Sequence, residues 1–326
     1  MHGLIADIRK PIEAEMKNFD ALFDDALSHA DGTLSVALNY IRQRAGKRMR
    51  PMLTILVAKS FGEVNENTYR AGVGLELLHT ASLVHDDVVD ESDKRRGQRS
   101  MNSVYDNRVA VLVGDYILST ALLNVAATGN IGIVECVSRL GQTLSNGEIL
   151  QLTSNASEGI SEDVYYSVIG QKTAALFGAC CAVGAMSVNA SQKDVEAARL
   201  FGMKVGMIFQ IRDDIFDYFE SSEIGKPTGN DMAEGKLTLP AIHAVLTADD
   251  AEMLAIAKRV KSLDASPEEM SRLIDFAKQN GGIEYAEKVM HRLHGDALSF
   301  VNARVGDEAL KSSLTAYLDY CILRSL

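Results

Sequence analysis

The sequence predicts an all-α fold, a single-domain bundle of about ten or more helices. Apolar residues recur at helical spacing along most of the 326 residues, and no stretch alternates convincingly with the period of two that a half-buried strand needs. With 5 Pro and no Trp, the chain has too little turn punctuation for an all-β protein of this length. Several spans are apolar over much of their circumference, as helices in the middle of a large bundle are. No Pro-, Gly- or Ser-rich linker and no tandem repeat divides the chain, so residues 1–326 read as one domain.

In chain order, Thr33 is a candidate N-cap for a helix through Leu34, Leu38 and Ile41 that stops before Gly46. A longer helix covers 68–91, with Val73, Leu77, Leu78, Ala81 and Val84 along one side. Further helices follow over 103–127, 131–153 and 162–187, and over 192–219 behind a Ser191 cap. The remainder are 236–247, 249–261, 267–279, 282–303 and 307–324. Ser266-Pro267-Glu268-Glu269 is a strong start signal, combining an N-cap, Pro at the first helical position and Glu at the capping-box position. Gly281-Gly282 separates the last long helices.

Lys and Arg total 33 against 44 Asp and Glu, a net charge of −11 that disfavours nucleic acid as a general partner. The 4 Cys form no CxxC pair and read as free thiols in a reducing cytosol. Cys321 lies too far from the end for a prenylation signal. Asp7, Arg9 and Lys10 interrupt the N-terminal apolar pattern, which excludes a signal peptide. The weakly polar run 174–188 falls short of the roughly 20 residues of a membrane span. A cytoplasmic protein, not integral to a membrane, is the expectation.

The informative motif is Asp86-Asp87-Val88-Val89-Asp90, which recurs as Asp213-Asp214-Ile215-Phe216-Asp217. Positions i and i+4 share a helix face, so Asp86 projects with Asp90 and Asp213 with Asp217. Both copies lie in apolar surroundings, where like charges one turn apart are unfavourable unless neutralised. Hard divalent cations neutralise them with oxygen ligands, and Mg²⁺ characteristically shares phosphate oxygens of a substrate. Arg42, Arg44, Lys47, Arg48 and Arg50 fall together without an acid, and Lys94, Arg95, Arg96 and Arg99 follow the first acidic motif. Such clusters in an acidic chain point to an anion site, with diphosphate the anion expected, since Arg forks and Lys point charges suit it. Gly225-Lys226-Pro227-Thr228-Gly229, running on to Gly235-Lys236, reads as a loop that folds over a charged ligand.

These segments resemble the trans-isoprenyl diphosphate synthase (polyprenyl synthetase) family, in its long-chain type. The resemblance spans nearly the whole chain: GKRMRP at 46–51, HTASLVHDDVVD at 79–90, RRG at 95–97, Lys172-Thr173, and FQIRDDIFD at 209–217 followed by the Lys226/Lys236 loop. It implies an isoprenoid synthase fold around a central cavity, a homodimer, and Mg²⁺ as cofactor, three ions per active site. Asp86, Asp90, Asp213 and Asp217 would hold the metal, with Asp87 and Asp214 behind them. Lys47, Arg50, His79 and Arg96 would bind isopentenyl diphosphate. Arg95, Lys172, Thr173, Gln210, Lys226 and Lys236 would bind the allylic diphosphate, and Asp86, Asp90, Asp213 and Lys172 carry the catalytic assignment.

The implied reaction is ionisation of the allylic diphosphate, attack by the double bond of isopentenyl diphosphate, and proton loss to the departed diphosphate. Ala81 and Ser82, small residues about one turn below Asp86, leave the elongation shaft open and imply a product above C20, for a quinone side chain. Leu78, Leu123 and Leu144 are candidates for a deeper floor. Release of so apolar a product implies transient membrane contact. The alternatives are a short-chain farnesyl or geranylgeranyl diphosphate synthase, a class I terpene cyclase, and a non-catalytic partner subunit. A di-iron bundle would use Glu76 and His79 as an ExxH pair but lacks a second such pair.

Overall fold

A computed structural model describes residues 2–43, 46–95, 97–155, 159–219 and 228–324. Helices α1 (His2–Arg9), α2 (Glu13–Ala26), α3 (Gly32–Arg42), α4 (Met49–Phe61) and α5 (Glu66–Val89) come first. A small antiparallel hairpin of β1 (Lys94–Arg95) and β2 (Gln98–Arg99) pairs Lys94 with Arg99. Then come α6 (Met101–Val104), α7 (Asn107–Ala126), α8 (Ile131–Asn155), α9 (Glu162–Ile169), a π-helical turn (Gly170–Ala174), α10 (Ala175–Ser187) and α11 (Gln192–Phe216). The chain finishes with α12 (Asn230–Ala233), α13 (Leu239–Thr247), α14 (Ala251–Lys261), α15 (Pro267–Gln279), α16 (Gly282–Arg304) and α17 (Glu308–Leu323). One hydrophobic core runs from Ile8 to Ile322.

The capping rules place several starts as expected. Ser266 and Glu269 form the capping box of α15, and Ser191 caps α11. Other boundaries differ for local reasons. Asp31, not Thr33, precedes α3. Helix α5 starts earlier because Asn65 and Thr68 build a capping box there. The span expected over 103–127 is two helices, broken where the Asp106 side chain accepts from Val109 N at 2.9 Å and caps α7. Helix α4 escapes a periodicity reading because Pro51 through Ala58 are all buried, which leaves no amphipathic stripe. Pro51 is tolerated in its first turn, where no internal N–H bond is lost.

Helix α10 is the axis of the bundle, buried from Leu176 to Ala185 and packed on α4, α5, α8 and α11. Glycines let backbones touch there. A Cβ on Gly184 would meet the Thr54 carbonyl oxygen at 2.4 Å, and one on Gly202 would meet that of Phe177 at 2.3 Å. Two helical stretches are long and apolar enough to cross a membrane by length and composition, which corrects the expectation that none reaches that length. Glu162–Ser187 is 72% buried in the bundle, as a core helix is. Asn107–Ala126 is only 33% buried and leaves an apolar face outside, including Leu112 and Leu123.

Gly202→Ala is therefore expected to destabilise the protein by about 1–3 kcal/mol through overpacking. Gly295→Ala, on the open side of α16 with nothing within 4 Å, stabilises it by about 0.5–1 kcal/mol. Chemical denaturation of both variants checks the pair, and equal shifts would remove the close-packing argument.

Candidate active site

Helices α5 and α11 end in the two acidic motifs, and their carboxylates occupy distinct environments. Asp87 is buried and accepts from Arg95 Nε at 2.6 Å. Asp86 is half-buried, and its pKa is pushed up to about 6 by burial. Lys172 and Arg95 oppose that rise, while Glu148 and Asp90 add to it. Asp90 is exposed at the end of α5. On α11, Asp213 pairs with Arg324 at 2.6 Å. Asp214 is buried and accepts from Tyr165 Oη at 2.5 Å and Gln210 Nε2 at 2.8 Å. Burial and the nearby Asp231 carboxylate push its pKa up, against those two hydrogen bonds. Asp217 accepts from the backbone amides of Asn230 at 3.1 Å and Asp231 at 3.0 Å, anchoring α12 to the acidic helix.

The π-helical turn supplies the facing residues. One extra residue in the turn re-aims Lys172 and Thr173, as such turns do at functional sites. Helix α8 closes on this turn at Gly147, where a Cβ would lie 2.9 Å from Lys172 N. That approach brings Glu148 within 2.6 Å of Lys172 Nζ and Gln151 Oε1 within 3.3 Å. Thr173 Oγ1 donates to Gln210 Oε1 at 2.7 Å, so Thr173, Gln210, Asp214 and Tyr165 form one chain of hydrogen bonds. Lys236 closes the far side beside Glu234, Asp231 and Asp90; burial works against its charge, but these carboxylates raise its pKa. A cavity of about 180 Å³ lies among Lys172, Thr173, Gln210, Asp214, Asp231 and Lys236.

A second cavity, of about 560 Å³, is lined by Lys47, Arg50, His79, Arg95 and Arg324. Lys47 Nζ donates to Tyr320 Oη at 3.0 Å, and the Arg50 guanidinium lies over Phe177 at 5.0 Å. The Nε atoms of Arg50 and Arg324 are buried without hydrogen-bond partners, which suits an anionic ligand. Arg48 lines the same cavity but is already paired. With φ +55°, it stacks on Phe23 at 3.9 Å and pairs with Glu76 at 3.3 Å. Glu76 thus serves an ion pair, which removes it from the ExxH reading.

The structure regroups several sequence-based assignments. Arg95 lines the larger cavity with Lys47 and Arg50, rather than the smaller one with Lys172 and Thr173, because Asp87 holds its guanidinium. Leu123 is 71% exposed and provides no floor within the chain, whereas Leu78 is buried and Leu144 half-buried against the core. Ala81 is buried and Ser82 donates to the His79 carbonyl at 2.9 Å. Neither cavity includes these two residues; Thr80, Leu83 and Val84 of the same turns line the larger one. Arg44, Arg96 and Lys226 lie outside the described residues. Glu148, Gln151, Tyr165, Asp231 and Arg324 escaped the motif reading. The one signal available was Asp231, an acid between the two lysines of the loop segment.

Carboxylate oxygens beside a polar cavity suit a hard divalent cation. Among the described residues, no three His, Cys, Asp or Glu side chains stand close enough to hold an ion by themselves. A cation here therefore fits as one shared with a ligand's oxygens.

Tyr165→Phe removes a buried donor from Asp214 and is expected to cost about 1–3 kcal/mol. Thermal unfolding reads this, and an unchanged midpoint would mean that the hydrogen-bond chain carries no stability.

The family model described as Polyprenyl synthetase matches residues 31–276. The chain is 33% identical over 320 residues to heptaprenyl diphosphate synthase component 2 of Geobacillus stearothermophilus, covering 95% of this chain and 96% of that one. A geranylgeranyl pyrophosphate synthase structure from Bacteroides thetaiotaomicron superposes with a TM-score of 0.87 at 46% identity, covering 99% and 100%. A decaprenyl diphosphate synthase structure from Rhodobacter capsulatus gives 0.89 at 33% identity, covering 98% of each chain. Paired acidic helices, a lysine-bearing π turn and a match over most of the length lead to one assignment: the chain belongs to the polyprenyl synthetase family of trans-prenyltransferases.

Proposed function

We propose that this cytoplasmic, Mg²⁺-dependent enzyme condenses isopentenyl diphosphate repeatedly onto an allylic diphosphate to give an all-trans polyprenyl diphosphate longer than C20, for a quinone side chain. The observation that carries the two-substrate reading is the second cationic cavity. Lys47, Arg50 and His79 line a space apart from Lys172, Thr173 and Lys236, which supports separate berths for two diphosphates.

Asp86 and Asp90 on one side, and Asp213 with Asp217 on the other, are the residues that would hold Mg²⁺, which supplies charge neutralisation to the leaving diphosphate. Lys172 and Lys236 add fixed positive charge where negative charge develops. Thr173 and Gln210 are oriented by the buried Asp214, so their polar atoms need no reorganisation. Water must be kept from the reacting carbon, since it would quench an allylic cation. The double bond of isopentenyl diphosphate attacks that cation, and the departed diphosphate accepts the proton. This leaves no need for a separate base.

Product length is the finer part of the reading. Ala81 and Ser82 place no bulky side chain in the turn below Asp86, which supports elongation past C20. The 46% identity to the geranylgeranyl pyrophosphate synthase favours a second reading, a C20 stop. Incubation with farnesyl diphosphate, excess isopentenyl diphosphate and Mg²⁺, followed by product sizing, is expected to give chains beyond C20. Ala81→Phe or Ser82→Phe is expected to shorten them. A clean C20 product from the unaltered protein would decide for the second reading.

We also propose that a second copy covers the outer face of α7 and the start of α8, where Leu112 is 67%, Leu123 71% and Ile131 80% exposed. The double substitution Leu112→Lys with Leu123→Lys is expected to convert a dimer into a monomer in sedimentation velocity. A monomeric unaltered protein would overturn this arrangement.

A further inference from the structure

Both lysines of the smaller cavity have a carboxylate partner, and the two pairs are built differently. Lys236 pairs with Glu234, a near neighbour on its own segment whose side chain is 60% exposed. Lys172 pairs instead with Glu148 of α8, at 2.6 Å, and the Glu148 side chain is only 21% exposed. Glu148 is not among the lining residues of either cavity, so it reaches the ammonium from behind. Gln151 stands one turn further along α8, on the same face, and its Oε1 accepts from Lys172 Nζ at 3.3 Å. The residue before Glu148 is Gly147, where a Cβ would lie 2.9 Å from Lys172 N. One stretch of α8 therefore fixes Lys172 at both ends, its backbone by close approach and its ammonium by two oxygens.

An ammonium has three donors on a flexible four-carbon stem. With two of them directed to Glu148 and Gln151, one is left for an oxygen in the cavity. A carboxylate so near a berth for diphosphate works against anion binding by Coulomb repulsion. Glu148 is near enough to Asp86 to push the pKa of that carboxyl up, so its charge is felt across the site. If binding were all that mattered, a neutral residue would serve better there. What a charged partner gives in return is a fixed direction for the ammonium, and a cation already in place stabilises charge developing on a leaving group without reorganising.

We propose that Glu148 is a positioning residue for the ionisation step: it holds the Lys172 ammonium against the leaving diphosphate at some expense in diphosphate affinity. This rests on the proposed placement of the allylic diphosphate beside Lys172 and deepens it. The chemistry stays that of the condensation already described, and Glu148 touches neither substrate.

The test separates rate from binding in the full-length protein. The rate is that of a single turnover of farnesyl diphosphate with isopentenyl diphosphate and Mg²⁺, so product release does not enter. Binding is read by calorimetry with the thiolo analogue of farnesyl diphosphate, which resists ionisation. Glu148→Gln is expected to slow the single turnover about tenfold while the analogue binds equally well or more tightly. A loss of affinity with the saturated rate kept would make Glu148 a ligand-site residue and overturn the proposal, as would an unchanged rate. Glu148→Asp keeps the charge but is one methylene short. It is expected to slow the rate about threefold or more, and it carries the test if the Gln variant unfolds; a full rate in the Asp variant would overturn the placement argument. Lys172→Gln combined with Glu148→Gln is expected to stay within about twofold of Lys172→Gln alone, because Glu148 acts through the ammonium. A further tenfold loss in the double variant would show an independent or merely structural role and overturn it. An unchanged rate in Lys172→Gln by itself would fault the placement of the allylic diphosphate, and the proposal would fall with it; a slow Lys172→Gln beside a full-rate Glu148→Gln overturns the positioning role alone.

Discussion

Burial of like-charged carboxylates at the ends of α5 and α11 sets the terms for the rest of the site. Four of the six aspartates are answered from within the chain, each by a different device. Asp87 takes Arg95, Asp213 takes Arg324, Asp214 takes Tyr165 and Gln210, and Asp217 takes two backbone amides. Asp86 and Asp90 face Lys172 and Lys236 across the opening, near enough for the charges to act. The two motifs read alike in sequence but are not equivalent in the fold. The first presents carboxylates to the opening, whereas the second is largely braced by its surroundings.

That bracing explains why residues far apart in sequence converge. The π turn aims Lys172 and Thr173, and Gly147 admits it against α8. Asp217 pins α12, and with it the segment that delivers Asp231 and Lys236. Tyr320 and Arg324 on and after the last helix meet Lys47 and Asp213. Each contact closes a long loop of chain, an entropic cost offset by the apolar packing of α10 and its neighbours rather than by the polar contacts themselves.

The sequence disclosed whatever depends on local spacing. The i, i+4 rule placed the aspartates, and the capping signals at Ser191 and Ser266 located the starts of α11 and α15. Helix α4 was hidden because burial on all sides erases periodicity, although the basic run beside it was visible. The π turn was hidden as well, since Gly170–Ala174 fits a continuous helical pattern and the extra residue is imposed by packing against α8 and α11. Tyr165 and Arg324 carry no motif. Their roles come from tertiary neighbours 49 and, for Asp213, 111 residues away, a distance no local pattern encodes.

The arrangement also bears on which chemistry the fold supports. A site that only ionises one diphosphate needs one cationic berth beside its acidic motifs. Here the buried, unpartnered Nε atoms of Arg50 and Arg324 lie in a second berth, with Lys47 beside them. A buried guanidinium donor is stabilised by a hydrogen-bond acceptor, and an anion's oxygens would supply one. The two cationic cavities have no lining residue in common, so an anion in one would not share side chains with an anion in the other. That separation suits the proposed condensation of two diphosphates, in which one leaving group would be stabilised while the other substrate's anion stays intact as its double bond attacks.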